Sequence, residues 1–175
     1  LLLTGQRKSE VADMRWSEVS LTERVWRLPG ERVKNSKSHD VFLSDDACRI
    51  IEAQPTKGSE FVFTTNLKSP VSGFSRVMSR GLRIFRDELV KDDPNAVYEP
   101  WSWHDLRRTH PTRLQSLGYS LDVIERVLNH RSGTTGGIVS VYQKHEFRKE
   151  RSEAAQKLAD HVQELVRTAP SLSPV

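Results

Sequence analysis

The chain has 175 residues, of which 36% are hydrophobic and 29% charged, the balance of an ordinary globular domain rather than of a disordered chain. Its 27 Lys and Arg residues outnumber 23 Asp and Glu residues, and the formal net charge of +4 mildly favours a polyanionic partner. The single cysteine, Cys48, excludes an internal disulfide and a multi-cysteine metal cluster, and it favours a reducing compartment. No apolar run approaches the roughly 20 residues that cross a membrane.

The N-terminal half is predicted to contain short helices and a small antiparallel sheet. The apolar start, Leu1 to Leu3, is typical of a helix end that Gly5 stops. It has neither an initiator Met nor the charged start of a signal peptide, so we expect a C-terminal domain excised from a longer chain. The expected elements are a helix over 7–14, strands over 16–21, 24–28 and 39–43, a helix over 45–54 with Ser44 as N-cap, and a buried segment over 61–63.

The C-terminal half is predicted to be helical. Its clearest amphipathic helix covers 72–90, where Arg76, Arg80 and Arg83 lie opposite a stripe of apolar residues. Pro111 is expected to end or kink the helix that contains it, unless it lies in the first turn. Further helices are expected over 104–117, 121–128, 137–147 and 148–166, followed by a Pro/Ser tail over 169–175.

Several polar residues stand at positions that suggest chemistry. An arginine follows a glycine turn, a lysine lies in a hairpin, and a histidine and an arginine three residues apart share one helix face. A second histidine ends a helix, and a tyrosine follows it twelve residues later. In chain order these residues are Arg7, Lys34, His104, Arg107, His130 and Tyr142.

This ordered set resembles the catalytic set of the tyrosine recombinase (phage integrase) family. The segments 3–7, 104–109 and 128–130 are close to the family's motifs, and the resemblance extends from Leu1 to about Val166. It implies an α+β, mainly helical catalytic-core fold with a small antiparallel three-stranded sheet. The expected domain covers 1–168, and residues 169–175 are expected to form a flexible tail. The resemblance also implies an upstream DNA-binding domain in the longer chain.

The resemblance also implies the role of each residue. Tyr142 would attack a DNA phosphate and form a 3′-phosphotyrosine, which conserves the bond energy, so that no metal, ATP or other cofactor is required. Arg7 and Arg107 would clamp the non-bridging oxygens. Lys34 would protonate the leaving 5′ oxygen, His130 would donate to a phosphate oxygen, and His104 would help to remove the tyrosine proton.

Three assignments have a specific alternative. Lys37 could replace Lys34, Arg108 could replace Arg107, although spacing favours Arg107, and His130 could simply cap its helix. Tyr98 is expected in a loop and Tyr119 in packing. His39, His145 and His161 are expected to be surface or cap residues, and their spacing fits no metal site.

The function that follows is site-specific recombination, the integration or excision of mobile DNA. The expected partner is double-stranded DNA, bound by a homotetramer on paired sites in the full-length protein, in the bacterial cytoplasm and without a membrane. The stripe Arg76, Arg80 and Arg83 would add phosphate contacts. The alternatives are a type IB topoisomerase, which generally has lysine where this chain has His104, a silent DNA-binding module of the same fold, and a metal-dependent nuclease.

Overall fold

The computed structural model describes residues 1–33, 36–130 and 147–169. It confirms the expected architecture, which is mainly helical with one three-stranded antiparallel sheet. Lys34, Tyr142 and nearly all of the helix expected over 137–147 lie outside the described residues. The elements are α1 (Lys8–Ala12), β1 (Val19–Ser20), β2 (Val25–Leu28), β3 (His39–Phe42), α2 (Asp45–Glu52), α3 (Phe74–Asp92), α4 (Trp103–Ser116), α5 (Leu121–Val127) and α6 (Arg148–Thr168).

The sheet has the strand order β1-β2-β3, and the fully buried Trp26 lies at its centre, opposite Val19 on one side and Val41 on the other. The strand expected over 16–21 is wrong in its first half, because Trp16–Glu18 forms a 3-10 helix. The Glu18 carboxylate explains the turn. It accepts the Trp26 indole N–H at 3.0 Å and the backbone N–H of Arg15 at 3.2 Å, which draws the chain back before the strand begins.

Two apolar clusters form the core. One lies between the sheet and α2, and the other lies where α4, α5 and α6 pack together. Helix α6 also contacts α2 and β3, and so it joins the two clusters. The first cluster includes Met14, Trp26, Leu28, Val41, Leu43, Ile51 and Val62, and the second consists of Leu114, Ile124, Leu128, Ala154 and Leu158.

Helix α4 continues through Pro111, so the helix expected over 104–117 is confirmed and the proline does not end it. Proline supplies no N–H to the carbonyl of Arg107, one turn earlier. Burial of the side chains before and after Pro111 offsets that missing bond, because His110 is 1% exposed and Leu114 is fully buried. The His110 ring is fixed further by Nδ1, which donates to the carbonyl oxygen of Leu2 at 2.7 Å.

Helix α3 confirms the amphipathic helix expected over 72–90, but its apolar stripe is only partly covered. Val77 is 58% exposed and Phe85 is 40% exposed, and none of the described α3 side chains is buried. Aromatic contacts attach α3 to the rest of the protein. Phe74 packs edge to face on Trp103, and Phe85 packs in the same way on Tyr98, which lies in a loop as expected.

Candidate active site

The turn before α1 places Arg7 beside an acid that the sequence analysis missed. Gly5 has a φ of 62°, the left-handed conformation that suits the expected helix stop. The Glu10 carboxylate accepts the backbone N–H of Arg7 at 2.8 Å and its Nη1 at 2.8 Å. Glu10 is buried while the Arg7 side chain is 31% exposed, so the carboxylate fixes the guanidinium with donors left for a ligand. Glu10 stands three residues after the N-cap, the capping-box spacing, which is the signal that could have identified it.

Arg107 is buried inside the protein, at 7% exposure, and joins two turns of the chain. Its Nη1 donates to the carbonyl oxygen of Gly5, and its Nη2 donates to that of Leu128 at 3.2 Å. A guanidinium has five N–H donors, so these two bonds leave donors for an anion. The alternative residue, Arg108, has a 74% exposed side chain and pairs with Asp105 at 3.4 Å.

The electrostatics of Arg107 favour an anionic ligand. Burial, and secondly the positive charge of Arg7, lower the pKa of Arg107, while Glu10 acts in the opposite direction. Two guanidinium groups that repel each other, with one carboxylate acting on both, carry an excess positive charge. An anion bound against both groups would relieve this repulsion.

His104 lies at the mouth of a cleft of about 330 Å³, which it lines together with Arg107, Trp103, Ser102 and Lys8. The first turn of α4 sets its direction. The Asp105 carboxylate accepts the Ser102 backbone N–H at 2.9 Å and its hydroxyl at 2.7 Å, which fixes the start of the helix. His104 and Arg107 therefore border the same opening, as their spacing of three residues predicts.

His130 follows the C-terminus of α5, as expected. Asn129 has a φ of 51°, and its N–H donates to the carbonyl of Arg126, while the His130 N–H donates to that of Glu125 at 2.8 Å. These two bonds form a Schellman motif, so the backbone rather than the ring of His130 closes the helix. Its exposed side chain remains available, two residues beyond the carbonyl that Arg107 binds.

Lys34 and Tyr142 lie outside the described residues, but their described neighbours are attached to the same framework. Before Lys34, Arg32 pairs with Asp13 at 3.1 Å and with Glu18. After Tyr142, the ring of Phe147 lies 5.2 Å from the guanidinium carbon of Arg126 in α5. Lys37, the alternative to Lys34, lies within the described residues, and its side chain is exposed.

Two buried histidines hold this framework together. The expectation of a surface position for His39 is wrong, and the alternative, a cap, is right. The residue is 7% exposed, and its Nε2 binds the carbonyl oxygen of Val127 at 3.1 Å, in the last turn of α5. Burial lowers the pKa of both His39 and His110 to about 4. Both rings therefore act as neutral hydrogen-bonding groups. His145 lies outside the described residues, and His161 is partly buried.

The adjacent acids Asp45 and Asp46 at the start of α2 each form an ion pair with an arginine. Asp45 pairs with Arg24 at 2.7 Å, and Asp46 pairs with Arg49. Among residues 1–33, 36–130 and 147–169, no group of three or more His, Cys, Asp or Glu side chains is placed to hold a metal ion. In the same residues no helix is both long enough and apolar enough to span a bilayer.

The model of the phage integrase family matches residues 1–149, which is most of the chain. The chain belongs to the phage integrase family. The chain is 31% identical over 131 residues to prophage integrase IntA of Escherichia coli (strain K12), covering 74% of this chain and 29% of that protein. It is 32% identical over 138 residues to tyrosine recombinase XerD of Bifidobacterium longum (strain NCC 2705), covering 75% of this chain and 44% of that protein. This phage integrase family member thus spans less than half the length of either relative.

Solved structures support the same integrase fold. The Tn1549 transposon integrase, in complex with a circular intermediate DNA, matches with a TM-score of 0.61 at 17% identity, over 75% of this chain and 49% of that one. XerA recombinase matches with a TM-score of 0.54 at 19% identity, over 86% and 53% of the two chains. A lambda integrase tetramer bound to a Holliday junction matches with a TM-score of 0.51 at 18% identity, over 84% and 41%. At these identities the likeness establishes the fold.

Proposed function

We propose that the chain is the catalytic domain of a tyrosine recombinase, which cuts and rejoins double-stranded DNA through a phosphotyrosine on Tyr142. The observation that carries this proposal is the position of Arg107. It binds the turn before Arg7 and the turn before His130, and it borders the cleft that His104 lines. Three separate segments of the chain, which carry Arg7, His104 with Arg107, and His130, thus support one framework suited to a phosphate.

The two arginines supply most of the transition-state stabilisation in this proposal. When an oxygen attacks a phosphodiester, negative charge grows on the non-bridging oxygens. Arg7, held by Glu10, and Arg107, held by two carbonyls, present donors that stay charged and need no reorganisation during the reaction. His104 and His130 complete the cage as a proton acceptor and a phosphate-oxygen donor.

The assignments of Tyr142 and Lys34 rest on their order in the family motif. In the cutting step the Tyr142 oxygen bonds to phosphorus, its proton passes to His104 or to water, and the bond to the 5′ oxygen breaks. Lys34 gives that oxygen a proton, which leaves a free 5′ hydroxyl and a 3′-phosphotyrosine. In the joining step a 5′ hydroxyl of another strand attacks the phosphotyrosine and releases the tyrosine, so no external energy source is consumed.

The DNA partner and the assembly belong to the same proposal. Structural relatives include an integrase in complex with DNA and an integrase tetramer bound to a Holliday junction. For this chain, a tetramer on paired DNA sites in a bacterial cytoplasm is the matching arrangement. Further support for a DNA interaction comes from α3, where Arg76, Arg80 and Arg83 are exposed and, within the described part of the chain, form no ion pair.

Trapping of the covalent intermediate tests the function. The chain is incubated with a pool of duplexes that have randomised sequence and a nick, so that a short cut fragment diffuses away and the adduct accumulates. We expect a protein–DNA adduct that survives denaturing electrophoresis, forms in the presence of a metal chelator, and disappears in Tyr142→Phe. Tyr119→Phe is the matched control and should form the adduct normally. An adduct on Tyr142→Phe, or cleavage that needs a divalent metal ion, would refute the proposal.

A further inference from the structure

One wall of the cleft beside Arg107 carries a cation that the catalytic assignments leave unused. Lys8 lines this cleft together with His104 and Arg107. It directly follows Arg7, so the turn and the Glu10 hydrogen bond that place Arg7 also place the backbone of Lys8. The Lys8 Nζ lies 5.3 Å from the centroid of the Phe74 ring.

The aromatic group beneath Lys8 is fixed to the same helix turn as His104. Phe74 begins α3, and its ring packs edge to face on Trp103 with a centroid distance of 5.7 Å. The Trp103 indole N–H donates to the carbonyl oxygen of Phe74 at 2.9 Å. Trp103 immediately precedes His104 in α4. The ring that receives the ammonium group is therefore held in a constant position relative to the candidate active site.

Within the described residues, no carboxylate neutralises the charge of Lys8. Across the described ranges Lys8 has no carboxylate partner, whereas Arg7 is paired with Glu10 and Arg108 with Asp105. An interaction with an aromatic face biases the position of a long side chain without consuming its N–H donors. An ammonium group held in this way in a cleft that Arg107 and His104 also line is suited to a second anion.

We propose that Lys8 binds a DNA phosphate that flanks the one held by Arg7 and Arg107, and that Phe74 and Trp103 orient it for this interaction. The inference rests on the proposed function, because it takes the cleft to be the DNA site. It adds a positioning group that fixes the register of the strand in the cleft. Removal of the Lys8 ammonium should weaken DNA binding.

A salt titration of DNA binding tests this inference. Affinity for a short duplex is measured by fluorescence anisotropy in the Tyr142→Phe chain, so that no chemistry occurs. Each phosphate that a cation neutralises contributes about 0.9 to the slope of log affinity against log salt, so Lys8→Gln should lower that slope by about 0.9. In a Phe74→Leu background the effect of Lys8→Gln on affinity should be smaller, because the ammonium is no longer oriented there.

Lys157 provides a matched control, since its Nζ also lies over an aromatic ring, 5.8 Å from the centroid of Tyr119, but it does not line this cleft. Lys157→Gln should leave the slope unchanged. An unchanged slope in Lys8→Gln, or an equal fall in both variants, would overturn the inference. The adduct assay on the parent chain separates the two hypotheses. An absent adduct counts against the proposed function, and a normal adduct with an unaffected Lys8→Gln slope counts against the role of Lys8 alone.

Discussion

A side chain on Gly5 would collide with the ring of His110. A Cβ atom built on Gly5 would lie 2.7 Å from the Cδ2 of His110, and it would also lie 2.9 Å from a methyl carbon of Leu128. Gly5 accepts a hydrogen bond from Arg107, so this close packing sets the position of one of the two carbonyls that hold the guanidinium. The turn before α1 and the middle of α4 therefore fix each other.

Gly5→Ala should lower the free energy of unfolding by about 2–4 kcal/mol, because left-handed strain of about 1–2 kcal/mol adds to the collision. Urea denaturation measures this change. Gly118→Ala isolates the strain, since Gly118 has a φ of 90° but would place its Cβ in open space. Gly81→Ala, in the open middle of α3, should be neutral or stabilising. Equal destabilisation at Gly5 and Gly118 would show that the collision with His110 costs nothing.

Glu10→Gln should slow covalent adduct formation by roughly tenfold or more without weakening DNA binding, because the amide no longer holds Arg7 by charge. Single-turnover rates at saturating DNA, together with the Kd, separate these effects. Glu60→Gln is the control, since Glu60 forms an exposed pair with Arg15 at 2.6 Å and such pairs contribute little. A lower affinity at an unchanged rate would contradict this role of Glu10.

Stability should fall as the pH is lowered from about 6.5 towards 4. The unfolded chain protonates a histidine near 6.5, whereas burial lowers the pKa of His39 and His110 to about 4, so between these values the unfolded state binds more protons. Above pH 6.5 both states contain neutral histidines, and the free energy of unfolding is at its full value. At pH 5 protonation of the unfolded state lowers it by up to about 2 kcal/mol per histidine.

Urea denaturation at pH 7 and pH 5 measures this difference in the parent chain and in His39→Asn. The groups whose charge acts on His39 are Arg151, Glu10 and Asp40, and those acting on His110 are Arg107 and the N-terminal amine, so each variant is compared with itself at the two pH values. The pH dependence should be smaller in His39→Asn. An identical pH dependence would mean that His39 is not protonated on unfolding in this range.

Replacing Arg76, Arg80 and Arg83 together by glutamine should weaken binding to all DNA sequences alike. Each phosphate that one of them binds contributes about 0.9 to the slope of log affinity against log salt. Because the three side chains are exposed, the free energy of unfolding should change by no more than about 0.5 kcal/mol per site. Arg167→Gln, on α6, serves as the control. An unchanged slope would show that the three arginines contact solvent and not DNA phosphates.

Lys34→Ala should be rescued by a substrate with sulfur in place of the leaving 5′ oxygen, because a thiolate leaves without a proton. The ratio of cleavage rates on the two substrates measures the effect. Lys37→Ala is tested alongside. Any effect that it has on the cleavage rate should be the same on the oxygen and the sulfur substrate. A defect of Lys34→Ala that sulfur does not relieve would remove Lys34 from the role of general acid.

Sequence patterns predict the features that depend on local spacing. The helix that carries His104 and Arg107, the turn that places Arg7 and the helix end at His130 all follow from short motifs and caps. The sequence could not predict that Arg107 is held by carbonyls of Gly5 and Leu128, because these residues meet only in the tertiary structure.

Tertiary contacts also decide what local rules leave open. Local rules allow Pro111 to end or kink its helix, and burial of His110 and Leu114 outweighs the missing hydrogen bond, so the helix continues. They also allow His39 a surface or a cap position, and a long-range hydrogen bond with Val127 buries it as a cap. Polar residues with tertiary partners carry no periodic signal in the sequence. Glu10 is the exception, since its spacing from Arg7 could have identified it.

The double attachment of Arg107 has a consequence for genetics. Under the proposed function, a screen for loss of recombination would recover substitutions at Gly5, His110 and Leu128. None of these residues need touch DNA, because each one moves a carbonyl that holds the guanidinium or its packing partner. Such alleles would look like active-site mutations in a phenotype assay. Second-site suppressors of them should therefore cluster where the start of the chain meets α4 and the end of α5, and not on the DNA-facing surface.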